Sequence, residues 1–185
     1  MTRRRPSLPL IALLLSSLSL SVSSAATLEQ LSEARLIDES TEILRGKVNY
    51  CNQIYLRPVI WTVCEVNVIE RFKGQTAAKV QVAIPGGTVS GFRQSFEGSP
   101  TLERDTDYLF FLWQGKNGLK QIMGLSQGLL NIVKDEKGNL MVARAKVEDR
   151  MVTPEGKPVE DQSVNLRFSD LRARMTSRLS KGARQ

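Results

Sequence analysis

Through its middle, this chain alternates apolar and polar residues with a period of two. The stretches are short and punctuated by glycine and proline, which is the pattern of half-buried strands. Leu44, Gly46, Val48 and Tyr50 alternate with Arg45, Lys47 and Asn49 in a first strand opening at Glu42. Trp61 to Phe72 is a second, with Thr62, Cys64, Val66 and Val68 on one side, and Lys73-Gly74 turns the chain. Val80, Val82 and Ile84 mark a third, which stops at Pro85-Gly86-Gly87. Val89 to Phe96 reads as a fourth, closed by Gly98-Ser99-Pro100. The uninterrupted apolar run Tyr108 to Trp113 is too short for a buried helix and rich in aromatics, so it is expected to be a central strand. Leu119 to Leu125, Leu129 to Val133 and Leu140 to Ala143 follow between turns. So many short strands at regular spacing predict a closed antiparallel barrel or sandwich, because closure removes exposed edges.

The period changes at both ends. Thr27-Leu28-Glu29-Gln30 has the spacing of a capping box and predicts a short helix to about Asp38. Phe168, Leu171, Met175 and Leu179 recur at helical spacing behind Ser169 and predict a closing amphipathic helix. Five segments result: a leader over 1–25, an N-terminal helix within 26–41, and a β domain over 42–148. A polar linker or exposed hairpin over 149–164 and a basic helix over 165–185 complete the chain.

Charge and composition then restrict the chemistry. The 185 residues carry a net charge of +7 and no histidine, which removes His-based triads and His-ligated zinc. Two cysteines cannot build a four-thiolate metal site, and neither a metal nor another cofactor is expected. Arg3, Arg4 and Arg5 precede an apolar, serine-interrupted stretch from Leu8 to Val22 and the small residues Ser23 to Ala26. This is the layout of a secretory signal peptide, and the stretch is shorter than the roughly 20 apolar residues a membrane span needs. An exported, periplasmic or extracellular domain with no transmembrane helix is expected. In that compartment Cys51 and Cys64 are expected to form a disulfide. Their parity opposes it: Cys64 shares a face with Val66 and Val68, whereas Cys51 is in phase with Arg45 and Lys47. Pairing therefore requires a bulge, or a Cys51 that lies beyond the strand.

Candidate sites are few. Gly124-Leu125-Ser126-Gln127-Gly128 fits the nucleophile pattern G-x-S-x-G, which needs a strand-to-helix turn and a base. A strand-like run follows instead, so the glycines are read as bracketing a bend; a serine hydrolase using Ser126 with Lys120 or Lys134 is the alternative. Glu103, Asp105 and Asp107 alternate without the spacing of a calcium loop. Pro85-Gly86-Gly87-Thr88 lacks the helix and Lys-Ser/Thr of a phosphate loop and is a turn. Phe92, Arg93 and Phe96 are the nearest approach to an aromatic–basic surface, and nucleic acid is not an expected partner. Arg167, Arg174, Arg178 and Lys181 fall on one flank of the closing helix, either as a solvated edge or as a contact for an anionic surface.

Taken together, Glu42 to Val48, Val66 with Phe72-Lys73-Gly74, Pro85 to Gly91, Gly98-Ser99-Pro100, Tyr108 to Leu112 and Gly124 to Gly128 form an ordered set. The set resembles a family of small, largely uncharacterised secreted bacterial β-barrel proteins. More remotely, the order of its "GKV", "FKG" and "YL" pieces resembles the netrin-like barrels of tissue inhibitors of metalloproteinases. That resemblance implies a mainly β fold, a small antiparallel OB-type barrel, over about residues 42–133. Those inhibitors ligate the protease zinc with an N-terminal Cys, and neither expected mature terminus, Ala26 or Thr27, supplies one. The expected function is non-enzymatic binding of a protein or polymer in the cell envelope or outside. Arg93, Ser126 and Gln127 are candidate ligand contacts, because small barrels place function at rim turns and bends.

Overall fold

The computed structural model describes residues 27–146 and 150–182. The leader, the small-residue site before Thr27 and the last three residues lie outside the described residues. The element order is β1 (Thr27–Glu29), α1 (Glu33–Glu39), β2 (Glu42–Leu56), β3 (Val59–Lys73), β4 (Lys79–Pro85), β5 (Gly87–Val89) and β6 (Phe92–Gln94). There follow β7 (Asp107–Gln114), β8 (Lys120–Ile122), β9 (Leu129–Lys134), β10 (Leu140–Arg144), β11 (Arg150–Val152), β12 (Pro158–Val159), β13 (Val164–Arg167) and α2 (Phe168–Gly182). The protein is mainly β, with one short helix near the N-terminus and one near the C-terminus.

Eight strands form the main sheet in the order β13-β10-β9-β7-β2-β3-β4-β8, and β8 also pairs with β7. β2, β3, β4, β8 and β7 therefore follow one another in a ring. β7 is its centrepiece. Tyr108, Phe110 and Leu112 join Leu44, Val48, Cys64, Val66 and Val82 in one core. Leu109 and Phe111 point the other way, into a second core with Ile43 of β2 and with Ile37, Phe168, Leu171 and Met175 of the helices. A strand buried on both faces needs an apolar residue at every position, which is why this run lacks alternation.

Three irregularities interrupt the pairing of β2 with β3. The last falls between Val48 and Tyr50: Val48 opposes Val66, yet Tyr50 opposes Glu65, so Asn49 is extra. One inserted residue inverts the side-chain parity. Cys51 is thereby brought opposite Cys64, and the two form the disulfide. Of the two arrangements the sequence allows, the bulge is the one present, and Cys51 lies within the strand.

Several elements differ from their sequence expectation, and the segment expected as helix from 165 opens with the end of strand β13, so that the helix starts at Phe168. Thr27–Glu29 is a strand, not the first turn of a helix, because it pairs in parallel with β11, far away in the chain. The helix is capped instead by Ser32, whose hydroxyl accepts a hydrogen bond from Arg35 N. The expected fourth strand, Val89 to Phe96, is a two-stranded hairpin, β5 with β6. Ser90 and Gly91 take φ of 51° and 81°, the left-handed pair that a tight two-residue hairpin turn requires. Within 149–164, Met151 and Val152 of β11 pair antiparallel with β12. No helix among the described residues is long and apolar enough to cross a membrane.

Candidate functional site: the hairpin tip

β7 pairs with β2 only from Glu42 to Lys47. Beyond the bulge, Tyr50–Leu56 pairs with β3 alone, while β3 stays paired with β4 from Trp61 on, and the two strands run out as a ribbon closed at Arg57-Pro58. The disulfide crosses this ribbon at its base. The β5–β6 hairpin folds over the face that carries Gln53, Thr62 and Ile60. Gly87 makes that approach possible, since a Cβ there would stand 3.0 Å from Gln53 Cγ and from Thr62 Oγ1. Polar side chains lock the two hairpins together. Thr62 Oγ1 donates to Gly86 O at 2.8 Å, Ile60 N donates to Gln94 Oε1 at 2.6 Å, and Gln94 Nε2 donates to Pro58 O at 3.1 Å.

Between the hairpins lies a cavity of about 420 Å³, lined by Tyr55, Ile60, Val89, Phe92, Arg93 and Gln94. Apolar side chains around it stay in solvent: Phe92 is 76% exposed and Tyr55 54%. Ile54, Leu56 and Tyr50 on β2 are exposed as well. Each such residue forgoes part of the roughly 1.5–3 kcal/mol that full burial of a large apolar side chain supplies. Apolar side chains gathered in solvent around one structural feature are a mark of interaction surfaces. Residues 50–63 and 85–96, which build the tip, contain Arg57 and Arg93 but no Asp or Glu.

The candidate ligand residues do not converge on one site. Arg93 lines the cavity just described. Ser126 lines a different cleft, of about 430 Å³, with Glu103, Tyr108, Asn131, Arg144 and Lys146. Its hydroxyl is buried and has no hydrogen-bond partner among the described residues. Lys120 Nζ lies instead 2.5 Å from Glu42 Oε1. Residues 123–128 form a loop beside Phe111, whose O accepts from Met123 N at 2.9 Å and whose N donates to Gly128 O at 2.9 Å. β9 follows this loop where a nucleophile elbow has a helix. Gln127 is buried and committed internally: its Oε1 accepts from Leu31 N at 2.8 Å, and its Nε2 donates to Glu29 O at 3.0 Å. Gln127→Ala strands both backbone groups and is expected to cost about 1–3 kcal/mol. Urea denaturation measures the loss, and faster proteolysis next to β1 localises it.

The closing helix buries Phe168, Leu171 and Met175. Phe72 packs edge-on against the Phe168 ring, with centroids 6.1 Å apart. On its polar flank Arg174 holds Glu33 with two hydrogen bonds at 2.7 and 2.8 Å. Arg178 holds Asp38 at 2.7 and 2.5 Å. The guanidinium beside it keeps the Asp38 carboxyl below the usual aspartate range. Arg172 is paired with Glu70. Three arginines of this helix are thus engaged by the protein's own acids. Arg167, expected on this helix, is instead the last residue of β13, held opposite Met141 of β10, and is exposed; Lys181 lines a groove with Asp38, Phe72 and Lys73. Of the three alternating acids, Asp107 is taken by Arg45, 3.0 Å from its Nε, and no acid–cysteine cluster suited to a metal occurs among the described residues.

Fold and surface together define a mainly β protein with a disulfide-braced, apolar-tipped ribbon. No family model matches the chain, and no curated protein matches it. Sequence periodicity ends the first strand at Tyr50 and therefore misses Ile54, Tyr55 and Leu56. The signal that could have found them is the absence of any acid over 50–63, together with apolar residues that no turn or helix pattern explains.

Proposed function

We propose that this chain is an exported, non-enzymatic binding domain built on a small OB-like barrel, and that it contacts its ligand through the tip of the β2–β3 ribbon and the β5–β6 hairpin. The observation that carries this reading is the cavity between the hairpins with Phe92 and Tyr55 left in solvent around it. Small β domains place function at such rims, on loops held by a rigid scaffold. The disulfide fits an oxidising compartment, in keeping with export.

A displayed random peptide library panned against the purified protein tests the reading. Selected peptides are expected to lose at least about tenfold in affinity on Phe92→Ser or Tyr55→Ser. The thermal midpoint should hardly move, because both side chains are already largely exposed. Peptides indifferent to both substitutions would place binding elsewhere. Covalent labelling by a serine-reactive probe, abolished by Ser126→Ala, would replace the reading with that of a hydrolase.

A further inference from the structure

We infer that the tip takes an extended, acidic–apolar peptide segment of a partner protein, which adds as a strand to the outer edge of β2 over Tyr50–Leu56; this rests on the tip being the binding surface. Three observations converge. First, the edge is open: among the described residues no strand pairs with β2 beyond Lys47 on the side opposite β3. Alternate N–H and C=O groups there face outward, the template that strand addition uses.

Second, both faces beside that edge offer apolar contacts. Cys51, Gln53 and Tyr55 share the face of Thr62 and Ile60, where Phe92 and Val89 wall the cavity. Tyr50, Ile54 and Leu56 lie on the other face and are exposed. An added strand alternates its side chains between these faces, so one row would enter the cavity and the next would lie on Ile54 and Leu56. Third, Cys51–Val63 and the β5–β6 hairpin carry Arg57 and Arg93, both exposed, and no acid; the nearest acids lie at the base of the ribbon, where Glu65 opposes Tyr50 and is held by Lys79, and Asp105 N donates to Val48 O. Acidic residues on the incoming strand complement this charge.

The same observations weigh against other occupants. A second copy would bring its own Arg57 and Arg93 to a surface that holds no acid. A bilayer would leave the outward N–H and C=O groups unpaired in hydrocarbon, which lipid does not tolerate.

The test uses synthetic peptides of about ten residues, a length that covers the open edge. One set alternates Val or Phe with Glu, and a matched set carries Lys in place of Glu. The Glu set is expected to bind at least about tenfold more tightly in fluorescence anisotropy, with the preference shrinking at about 0.5 M salt. Arg57→Glu with Arg93→Glu should reverse that preference. Bound peptide should slow hydrogen exchange at the amides of Tyr50–Leu56, and N-methylation of alternate peptide amides should abolish binding. Phe92-dependent binding that survives N-methylation and protects none of these amides would overturn strand addition while leaving the tip as the binding surface. No peptide binding and a silent Phe92→Ser would overturn both. Phe92-dependent co-sedimentation with vesicles of about one-third anionic phospholipid, without peptide binding, would reassign the tip to a membrane. A mass that doubles with concentration and reverts on substituting the edge would reassign it to a second copy.

Discussion

Glu42→Gln is expected to remove about 3–5 kcal/mol of folding free energy, the usual cost of deleting one partner from a buried ionic cluster. Glu42 is 7% exposed, at the start of β2. One carboxylate oxygen accepts from Arg71 Nη1 at 2.6 Å, and the other lies 2.5 Å from Lys120 Nζ. A single anion therefore joins β2, β3 and β8, three strands of the ring. Without it, two cations face each other in a partly dry site, and Arg71 Nε is already without a partner there. Burial pushes the Glu42 carboxyl up, but hydrogen bonds from Lys120 and Arg71 outweigh it and hold the group below the ordinary 4.5. A depressed carboxylate contributes stability that is fully present above about pH 4.5 and is lost as pH falls through the lower folded value. Asp38, Glu39 and Glu65 are shifted in the same direction by their cationic partners. Wild-type protein should thus lose stability steeply below about pH 4.5, and Glu42→Gln should do so less steeply from a lower starting point. Urea denaturation across pH 3 to 7, on both proteins, reads the two slopes. Equal slopes, or a loss under about 1 kcal/mol at pH 7, would show the cluster to be dispensable.

Cys51→Ala with Cys64→Ala is the second large effect. A cross-link closing a loop of about 15 residues is worth about 3 kcal/mol in the chain-entropy account. Here the loop is the ribbon itself, residues 51 to 64. Past Val48 β2 has only β3 for a strand partner, and β3 itself is paired with β4 only from Trp61 on, so the far end of the ribbon rests on two strands, which alone are marginal in water. The loss should consequently be concentrated at the tip. Amides of Tyr50–Ile60 are expected to exchange much faster in the double variant, while those of Leu109 to Leu112, paired on both sides, slow or hasten only with global stability. Peptide binding at the tip should weaken in parallel, because a frayed ribbon must be reordered before it can pair. A variant that loses stability but keeps tip protection would show the bond to brace the ring and not the ribbon. Reduction should act like the substitution, as Cys51 is exposed at the base of the ribbon while Cys64 is fully buried.

Much of this architecture is legible in local pattern. The two-residue alternation of β2 and β3, the unbroken apolar run of β7 and the helical spacing of Phe168, Leu171 and Met175 each depend only on which faces are buried. The parity conflict between Cys51 and Cys64 even narrows the geometry, from residue order alone, to a bulge or a Cys51 beyond the strand. Other features are not local. Thr27-Leu28-Glu29-Gln30 carries a helix-start pattern, yet its backbone is claimed by β11, so a partner distant in sequence overrides the cap. Val89 to Phe96 has the composition of one strand, and only the left-handed Ser90-Gly91 pair makes it two. Gln127, read as a ligand contact on a bend, is instead the internal clamp on β1, since its polarity alone does not say which side of the surface it faces.

The sequence alone determined the strand periodicity, the apolar stripe of the closing helix and the clustering of basic residues on that helix, because these are properties of neighbouring side chains. What Arg174 and Arg178 do with their charge was decided by packing. Glu33 and Asp38 lie about 140 residues away in the chain and meet them only once α1 and α2 cover the same face of the sheet. The apolar tip is likewise a tertiary product. Nothing local tells Tyr55 from a core tyrosine or Phe92 from a core phenylalanine. Their exposure follows from β7 leaving β2 at Lys47 and from β5–β6 folding across the ribbon, which leaves apolar side chains and an open strand edge side by side.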